Sequence, residues 1–355
     1  ITCRDWSSDV CSSDLGVFAG VIGDYDATRI TSLSKIGTGM WTLAGENLFT
    51  GGVTVDDGAL KILSGGALGS GVKTADLIGN TTTRNPRLLI DGSGAPVVIP
   101  SDISFRASNK KSGAFINVAG SNRIEGAVSI VAGDNDLHVW AQSGKLTFSG
   151  DIAIADSVSR NLYLRGAGDG EISGVLASGT ASALTLYKDQ GAGVWTLSGG
   201  NTFAGNINID DGGLRITNAA ALGTGTKTVR ILGDTGARDP RLILDGADGP
   251  IILPATVTLR TSNKKSGSII HVAGTNTIQG EIRLAAGDHD THIWSRQGKL
   301  TLEGIIYAED ATPRQLYLRG DGDGEVSGVI SNGLNTAVPV YRDAGGGVWR
   351  FTAAN

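Results

Sequence analysis

The sequence predicts an all-β fold, a parallel β-helix (β-solenoid), and three observations lead to this prediction. The 355 residues include 54 Gly but only 1 Met and 5% aromatic residues, and periodic blocks of helix-forming residues are missing. Short apolar–polar–apolar triplets recur along the chain, separated by Gly, Asn or Asp turns. The sequence also repeats itself at an offset of 154 residues, which is typical of stacked architectures.

The internal repeat sets the organisation of the chain. The stretch "GMWTLAGENLFTGG" at Gly39 returns as "GVWTLSGGNTFAGN" at Gly193, and no insertion or deletion is needed to align the copies. Three tryptophans share one position of the repeat: Trp41, Trp195 and Trp349. We therefore expect a first repeat at residues 16–169, a second at residues 170–323 and a truncated third at residues 324–355.

Residues 1–15 are unlike the rest of the chain. They contain both cysteines, Cys3 and Cys11, and the stretch "DWSSDVCSSDL" resembles a common short-read sequencing adapter translated in one frame. We interpret residues 1–15 as translated adapter that takes no part in the fold and forms no disulfide. We expect the remaining chain to be an internal fragment of a longer gene. It contains no cysteine, so cysteine usage does not indicate a redox compartment.

Composition excludes several classes of function. The formal net charge of −5 gives no basic footprint for nucleic acid. No apolar run approaches the length of a membrane-spanning helix, so no direct membrane insertion by this chain is expected.

The predicted strands follow from the triplets taken in chain order. In each triplet two side chains face one way and one faces the other, which is typical of a strand with one buried face. The triplets begin at Val53, Leu60, Val97, Ile116, Val128, Leu146, Ile152, Leu162 and Leu184.

Two architectures fit short strands with tight turns: a row of antiparallel sandwiches and a parallel solenoid. The shortness of the strands and the lack of long strands joined by Asn-Gly hairpins favour the solenoid. The apolar residues are mainly Val, Ile, Leu and Ala, which indicates a narrow interior where large aromatic side chains would not fit. With three strands in a coil, one repeat gives roughly five coils.

The segment from Gly193 carries a specific resemblance. Its G-x-W-T-L-S-G opening is followed by Asn201, Phe203, an Asp-Gly turn and Ala-Leu-Gly at Ala221, and the copy at Met40 matches equally well. This pattern resembles the autotransporter-associated β-strand repeat, also called the passenger-associated transport repeat. The residue before Trp, Met40 or Val194, departs from the family pattern, and residues 72–166 lie outside the resemblance.

The resemblance implies a large secreted or surface-displayed bacterial protein. Passengers of this family are right-handed parallel β-helices that an outer-membrane barrel carries out of the cell. We therefore expect an extracellular or bacterial cell-surface location. The family has no established catalytic residues that could be carried over.

An enzyme would need clustered carboxylates or a metal site, and the candidates are weak. The pairs Asp56-Asp57 and Asp210-Asp211 precede apolar triplets and are interpreted as Asp-Asp-Gly turns, since adjacent strand residues point to opposite faces. The segments "GDNDLHVW" at Gly133 and "GDHDTHIW" at Gly287 lack the tandem nonapeptides of a calcium roll. We predict no enzymatic activity, no metal and no cofactor.

A binding surface is the other class of site that the repeat suggests. His138 and His292 are interpreted as solvent-facing strand residues, and Trp140 and Trp294 as covering a corner of the coil or lying on the outer wall. The candidate glycan contacts are Trp140, Trp294, Tyr163 and Tyr317.

Three functions are compatible with these patterns. A structural rod or stalk is preferred, an adhesin-like surface that binds glycan or matrix is second, and a polysaccharide-active β-helix enzyme is third. End-to-end self-association is also expected, because an uncapped solenoid end exposes apolar interior and strand edges.

Overall fold

The computed structural model describes residues 16–353, except 81–82, 110–111, 135, 234–237, 264, 288–289 and 336. The predicted all-β parallel solenoid is confirmed: the described residues form strands, with one 3-10 turn at Gly65–Leu68 and no α-helix. The expectation about residues 1–15 falls outside the described residues.

The chain divides into two compact units after Leu184, and the strand that spans this boundary is described with the second unit. The strands of the first unit are β1 (Gly16–Phe18), β2 (Leu33–Lys35), β3 (Met40–Leu43), β4 (Val53–Val55), β5 (Ala59–Ile62), β6 (Lys73–Ile78), β7 (Arg87–Asp91), β8 (Val98–Ile99), β9 (Ile103–Ser108), β10 (Phe115–Ala119), β11 (Ser121–Ile124), β12 (Val128–Ile130), β13 (Asp136–Ala141), β14 (Lys145–Phe148), β15 (Ile152–Ile154), β16 (Arg160–Arg165), β17 (Asp169–Ile172) and β18 (Leu176–Ala177).

The strands of the second unit are β19 (Leu184–Lys188), β20 (Val194–Leu197), β21 (Ile207–Ile209), β22 (Gly213–Ile216), β23 (Lys227–Leu232), β24 (Arg241–Asp245), β25 (Ile252–Leu253), β26 (Val257–Ser262), β27 (Ile269–Ala273), β28 (Thr275–Ile278), β29 (Ile282–Leu284), β30 (Asp290–Ser295), β31 (Lys299–Leu302), β32 (Ile306–Ala308), β33 (Gln315–Arg319), β34 (Asp323–Val326), β35 (Ile330–Ser331), β36 (Val340–Tyr341) and β37 (Trp349–Phe351).

Each unit has three parallel sheets. In the first unit the sheet orders are β1-β3-β5-β7-β10-β13-β16, β8-β11-β14-β17 and β2-β4-β6-β9-β12-β15-β18. In the second unit they are β19-β21-β23-β26-β29-β32-β35, β20-β22-β24-β27-β30-β33-β36 and β25-β28-β31-β34-β37. Consecutive strands enter different sheets and the chain then returns beside an earlier strand, which makes each turn a coil.

The coils are shorter than the sequence suggested. Trp41 pairs with Leu60 and Leu60 with Leu88, which gives coils of 19 and 28 residues. One sheet places the six strands β3, β5, β7, β10, β13 and β16 side by side between residues 40 and 165. The expectation of roughly five coils per repeat is therefore too low.

The core is built from side chains that stack from coil to coil. Alternation along each strand sends every second residue inward, and parallel pairing sets that residue beside its counterpart in the next coil. One such column in the first unit consists of buried residues that are paired in register: Val53, Ala75, Phe105, Val128, Ile152 and Leu176.

The interior accepts large aromatic residues, so the expectation of a core too narrow for them is wrong. Phe105, Phe115 and Phe148 are buried and make edge-to-face contacts, with ring centroids 5.2 and 5.5 Å apart. Opposite Trp349, Gly324 leaves the space that the indole ring occupies. Small residues facing large ones across coils explain how the rings fit.

Columns of glycine mark the bends between sheets. A Cβ atom added at Gly150 would collide with the carbonyl of Gly126, and one at Gly174 would collide with the carbonyl of Gly150. The three glycines are each 24 residues apart. The second unit has the same column at Gly280, Gly304 and Gly328.

The two repeats are not aligned throughout at an offset of 154 residues. Val55 and Ile209 keep that offset, yet Lys35 pairs with Val55 and Lys188 with Ile209. The second copy thus has one extra residue after its lysine, at the bend containing Gln190, whose φ is +49°. The statement that no insertion or deletion is needed is wrong at this bend.

Candidate functional site

The candidate glycan residues of the first unit lie on the outer face of two neighbouring strands. In β13, Leu137 and Val139 are fully buried in the core, so alternation turns His138 and Trp140 outward. In the parallel pairing of β13 with β16, His138 lies opposite Tyr163 and Trp140 opposite Arg165. We call these four residues, His138, Trp140, Tyr163 and Arg165, the first wall patch.

The Arg165 guanidinium holds the first wall patch together. Its carbon lies 4.7 Å from the ring centre of Tyr163 and 5.4 Å from that of Trp140, in cation–π range. Its Nη1 lies 2.8 Å from His138 Nδ1. Since arginine can only donate, this contact requires Nδ1 to accept and His138 to be neutral. The His138 and Tyr163 rings meet edge to face at 4.3 Å.

The second unit repeats the arrangement with His292, Trp294, Tyr317 and Arg319, which we call the second wall patch. Arg319 Nη1 lies 2.8 Å from His292 Nδ1, and its carbon lies 4.6 Å from the Tyr317 ring centre. Asp343 adds an ion pair to Arg319 at 2.5 Å. The guanidinium charge is thus already matched by a carboxylate.

The structure places the sequence-predicted residues on the same face of neighbouring strands, Trp140 with Tyr163 and Trp294 with Tyr317, and in each case an arginine lies near both rings. Sequence reasoning missed Arg165 and Arg319, although both follow Tyr by two residues in the repeated "LYLRG" and therefore share its face. The expectation that His138 and His292 face solvent is wrong. They point outward but are only 6% and 5% exposed, because Tyr and Arg of the next coil cover them.

The two tryptophans lie on the outer wall and also cover a bend. Each is half-buried, and its Cδ1 lies 2.5 Å from where a Cβ would stand on Gly113 or Gly267. Both glycines have positive φ, +94° and +101°, so a side chain there would be strained as well as obstructed. The indole nitrogens of Trp140 and Trp294 are buried and have no hydrogen-bond partner among the residues that the structure describes.

The chemistry left open by the wall patches is limited. Tyr317 has His292 at 4.5 Å on one side and stacks on Tyr341 at 4.8 Å. Its hydroxyl donates to Gln315 Oε1 at 2.6 Å, and burial is the main cause that raises its pKa. A sugar ring that stacks on an aromatic face therefore finds that face of Tyr317 already in use.

Buried lysines form a second group, which the sequence reasoning missed. Lys227 Nζ donates to the carbonyls of Phe203 at 3.0 Å and Leu222 at 2.6 Å, and lies 4.2 Å from the Phe203 ring centre. Lys73 makes the same contacts with Phe49 and Leu68. Burial lowers the pKa of Lys227 to about 8, because the charged form loses water.

A third series of cations closes the glycine bend that precedes each motif tryptophan. Lys35 Nζ donates to Gly37 O at 2.6 Å, Lys188 Nζ to Gly191 O at 2.7 Å, and Arg342 Nη2 to Gly345 O at 2.6 Å. At the constant offset of 154 residues, Lys35 aligns with Asp189 instead of Lys188. This one-residue shift hid the equivalence of Lys35 and Lys188.

The acidic candidates occupy turns, as the sequence predicted. Asp57 Oδ1 accepts the backbone N–H of Gly58 at 2.8 Å, and Asp211 Oδ1 that of Gly212 at 2.9 Å. Asp56 is ion-paired with Arg84 at 2.8 Å and Asp210 with Arg230 at 2.5 Å. Each carboxylate is committed to a bend or an arginine rather than to a second carboxylate.

Among the described residues, no group of three or more His, Cys, Asp or Glu side chains is arranged to hold a metal ion. Three residues of the two Gly-Asp segments, Asn135, Asp288 and His289, lie outside the described residues. In the described ranges, no helix is long and apolar enough to cross a membrane.

Comparison with known proteins gives two matches. The Passenger-associated-transport-repeat family matches residues 33–62 and 189–216. The chain is also similar to the adhesin BmaC autotransporter of Brucella suis biovar 1 (strain 1330), with 28% identity over 276 residues. The alignment covers 67% of this chain but spans only 8% of that adhesin. No solved structure matches the chain.

Proposed function

Because this chain is an autotransporter passenger-associated repeat protein, we propose that it forms a non-catalytic structural rod within a larger surface passenger. The family and the adhesin homologue imply a surface-exposed or secreted protein. We place the rod outside the cell, at the bacterial surface.

The stacked interior is the observation that carries this proposal. Within each unit, apolar side chains follow one another in register from coil to coil, and buried cations bind the carbonyls at the bends. Within each outer wall patch, the Arg, His and Tyr side chains also contact one another. These interactions join one coil to the next, and a structural spacer needs such interactions.

Deletion of one complete repeat from the intact passenger tests the rod. Removal of residues 170–323 should leave a folded passenger that is shorter in electron micrographs by the length of one repeat. Binding of the intact passenger to cells or matrix should persist, because this segment only sets distance. Loss of binding with retained folding would contradict the proposal, as would polysaccharide cleavage by the purified 355-residue chain.

A repeated binding surface is the second candidate function, and the recurrence of the wall patch favours it. Trp140 and Trp294 are both half-buried on an outer wall, with Tyr163 or Tyr317 on the next coil. Weak contacts with glycan or matrix at several copies would add through multivalency.

A glycan array separates the two candidates. If the patches bind sugar, the chain should give array signals that the double variant Trp140→Ala/Trp294→Ala loses. The matched control is Tyr25→Ala, which removes an aromatic residue that is 77% exposed and outside both patches. An unchanged pattern in the double variant would exclude the wall patches as the glycan site.

A further inference from the structure

One corner of the second unit holds a buried histidine where the first unit has asparagine. His271 on β27 and Asn117 on β10 occupy equivalent positions, 154 residues apart, and both are fully buried. Each contacts an asparagine on the next strand, Asn276 on β28 or Asn122 on β11. We call His271, Asn276 and the backbone groups they bind the corner network.

The orientation of the Asn276 amide is fixed by the backbone. Its Oδ1 accepts the Ile251 N–H at 2.9 Å, and its Nδ2 donates to the Ala273 carbonyl at 3.1 Å. If the amide were reversed, its NH2 group would face the Ile251 N–H and its oxygen would face the Ala273 carbonyl. Neither contact is a hydrogen bond, so Nδ2 must face His271.

The fixed amide sets the protonation state of the imidazole. Asn276 Nδ2 lies 2.8 Å from His271 Nδ1. Because Nδ2 can only donate, Nδ1 must offer its lone pair, and His271 is held neutral with its proton on Nε2. In the first unit Asn122 Nδ2 donates in the same way to Asn117 Oδ1 at 2.6 Å, an acceptor that does not titrate near neutral pH.

Protonation of His271 would put an N–H against an NH2 group inside the core. The two donors would repel each other, and the new charge would lie in a fully buried position that water does not reach. From this geometry we propose that His271 is a proton-sensitive latch, which opens the β27–β28 corner of the second unit in acid.

The surroundings of His271 support this direction. Burial lowers its pKa, and the Gln297 backbone and the Asp245 charge offset that effect in part. Asp245 itself is ion-paired with Arg215 at 3.6 Å, and Lys299 on β31 with Glu325 at 2.5 Å. Further charged or titratable side chains on the packed strands and bends are Arg241 on β24, Asp248 between β24 and β25, Asp290 and His292 on β30, and Arg296 after β30.

The sign of the pH effect follows from linkage. The unfolded chain binds a proton at His271 near pH 6.5, whereas the folded chain binds it only at lower pH. The stabilisation from the neutral corner network is therefore complete above pH 6.5 and is lost as pH falls from there toward the folded pKa.

The matched variant is His271→Asn, which places the first unit's own residue in the corner. Unfolding constants measured by denaturant titration should rise in the wild-type chain, relative to this variant, by up to about fivefold between pH 6.5 and 5.5. The reciprocal change Asn117→His should add the same acid sensitivity to the first unit. An equal pH dependence in all three chains would overturn the proposal.

An imidazole NMR titration of the wild-type chain tests the latch without any substitution. The chain has only 4 His, and His271 should keep the Nε2-protonated neutral form below pH 6.5. Amide protection in β27 and β28 should fall as that imidazole protonates. Titration of His271 at or above pH 6.5 would overturn the proposal, as would protection that stays constant through its titration.

Discussion

At the scale of single residues, the buried lysines show how the motif accommodates a charge in its core. Lys227 has two carbonyl partners, Phe203 and Leu222, and a neutral amine still has two N–H groups to satisfy them. The lysine can therefore lose its proton without losing either hydrogen bond.

This arrangement predicts an unusual pH dependence. Because burial lowers the folded pKa of Lys227 from 10.5 to about 8, the unfolded chain binds the extra proton between those values, and this group adds stability as pH rises from 8 to 10.5. Thermal unfolding at several pH values should show a smaller increase in stability between pH 8 and 10.5 in Lys227→Met than in the wild-type chain. The control Lys299→Met removes a lysine whose side chain is 46% exposed and should leave the increase unchanged. A wild-type pH profile identical to that of Lys227→Met would contradict the prediction.

At the scale of the strands, alternation was enough to assign faces. The triplet at Val128 predicts Val128 and Ile130 inside and Ser129 outside, and β12 has that pattern. Alternation could not predict the covering of His138, because the Arg165 that covers it comes from β16, one coil later. Nor could it give coil lengths, which depend on how many residues each bend takes.

Matched substitutions in β12 test the stacked column. Val128→Asp should destabilise the first unit by about 4 kcal/mol or more, since it buries a carboxylate between Phe105 and Ile152. Ser129→Asp should change stability by less than about 1 kcal/mol, because it places the charge outside, opposite Arg106. Urea unfolding of both variants measures the difference. Similar losses in the two would mean that the faces of β12 are assigned wrongly.

At the scale of the whole chain, the repeat and the turn-rich composition were sufficient for the fold class. They were insufficient to predict side-chain packing and strand register, which depend on contacts between strands that are distant in the sequence. The aromatic core is one example, since Phe115 meets Phe105 of the preceding strand and Phe148 of the next coil edge to face. The one-residue shift of Lys188, at the bend that contains Gln190, is another example, since only the strand pairing reveals it.

Exposed apolar groups in the last described strands predict self-association of the 355-residue polypeptide. Val340, Tyr341 and Phe351 are 38%, 40% and 49% exposed. A cavity of about 280 Å³ lies beside them, lined also by Leu318 and Trp349. Sedimentation should show concentration-dependent oligomers that Phe351→Glu reduces. In the same chain, amides of β36 and β37 should exchange faster than those of β21 to β29.

The control for this prediction is Val158→Glu, at a residue that is 53% exposed and far from those strands in the sequence. It should leave the oligomers unchanged. A monodisperse monomer at all concentrations, with slow exchange in β36 and β37, would contradict the prediction.

The glycine columns have a consequence for how genes of this kind change in length. Gly126, Gly150 and Gly174 lie against one another because 24 residues separate each from the next. Recombination that gains or loses 24 codons here keeps glycine opposite glycine. Most insertions or deletions of another length would place a side chain against a carbonyl at this bend. Related proteins should therefore differ in length by whole coils.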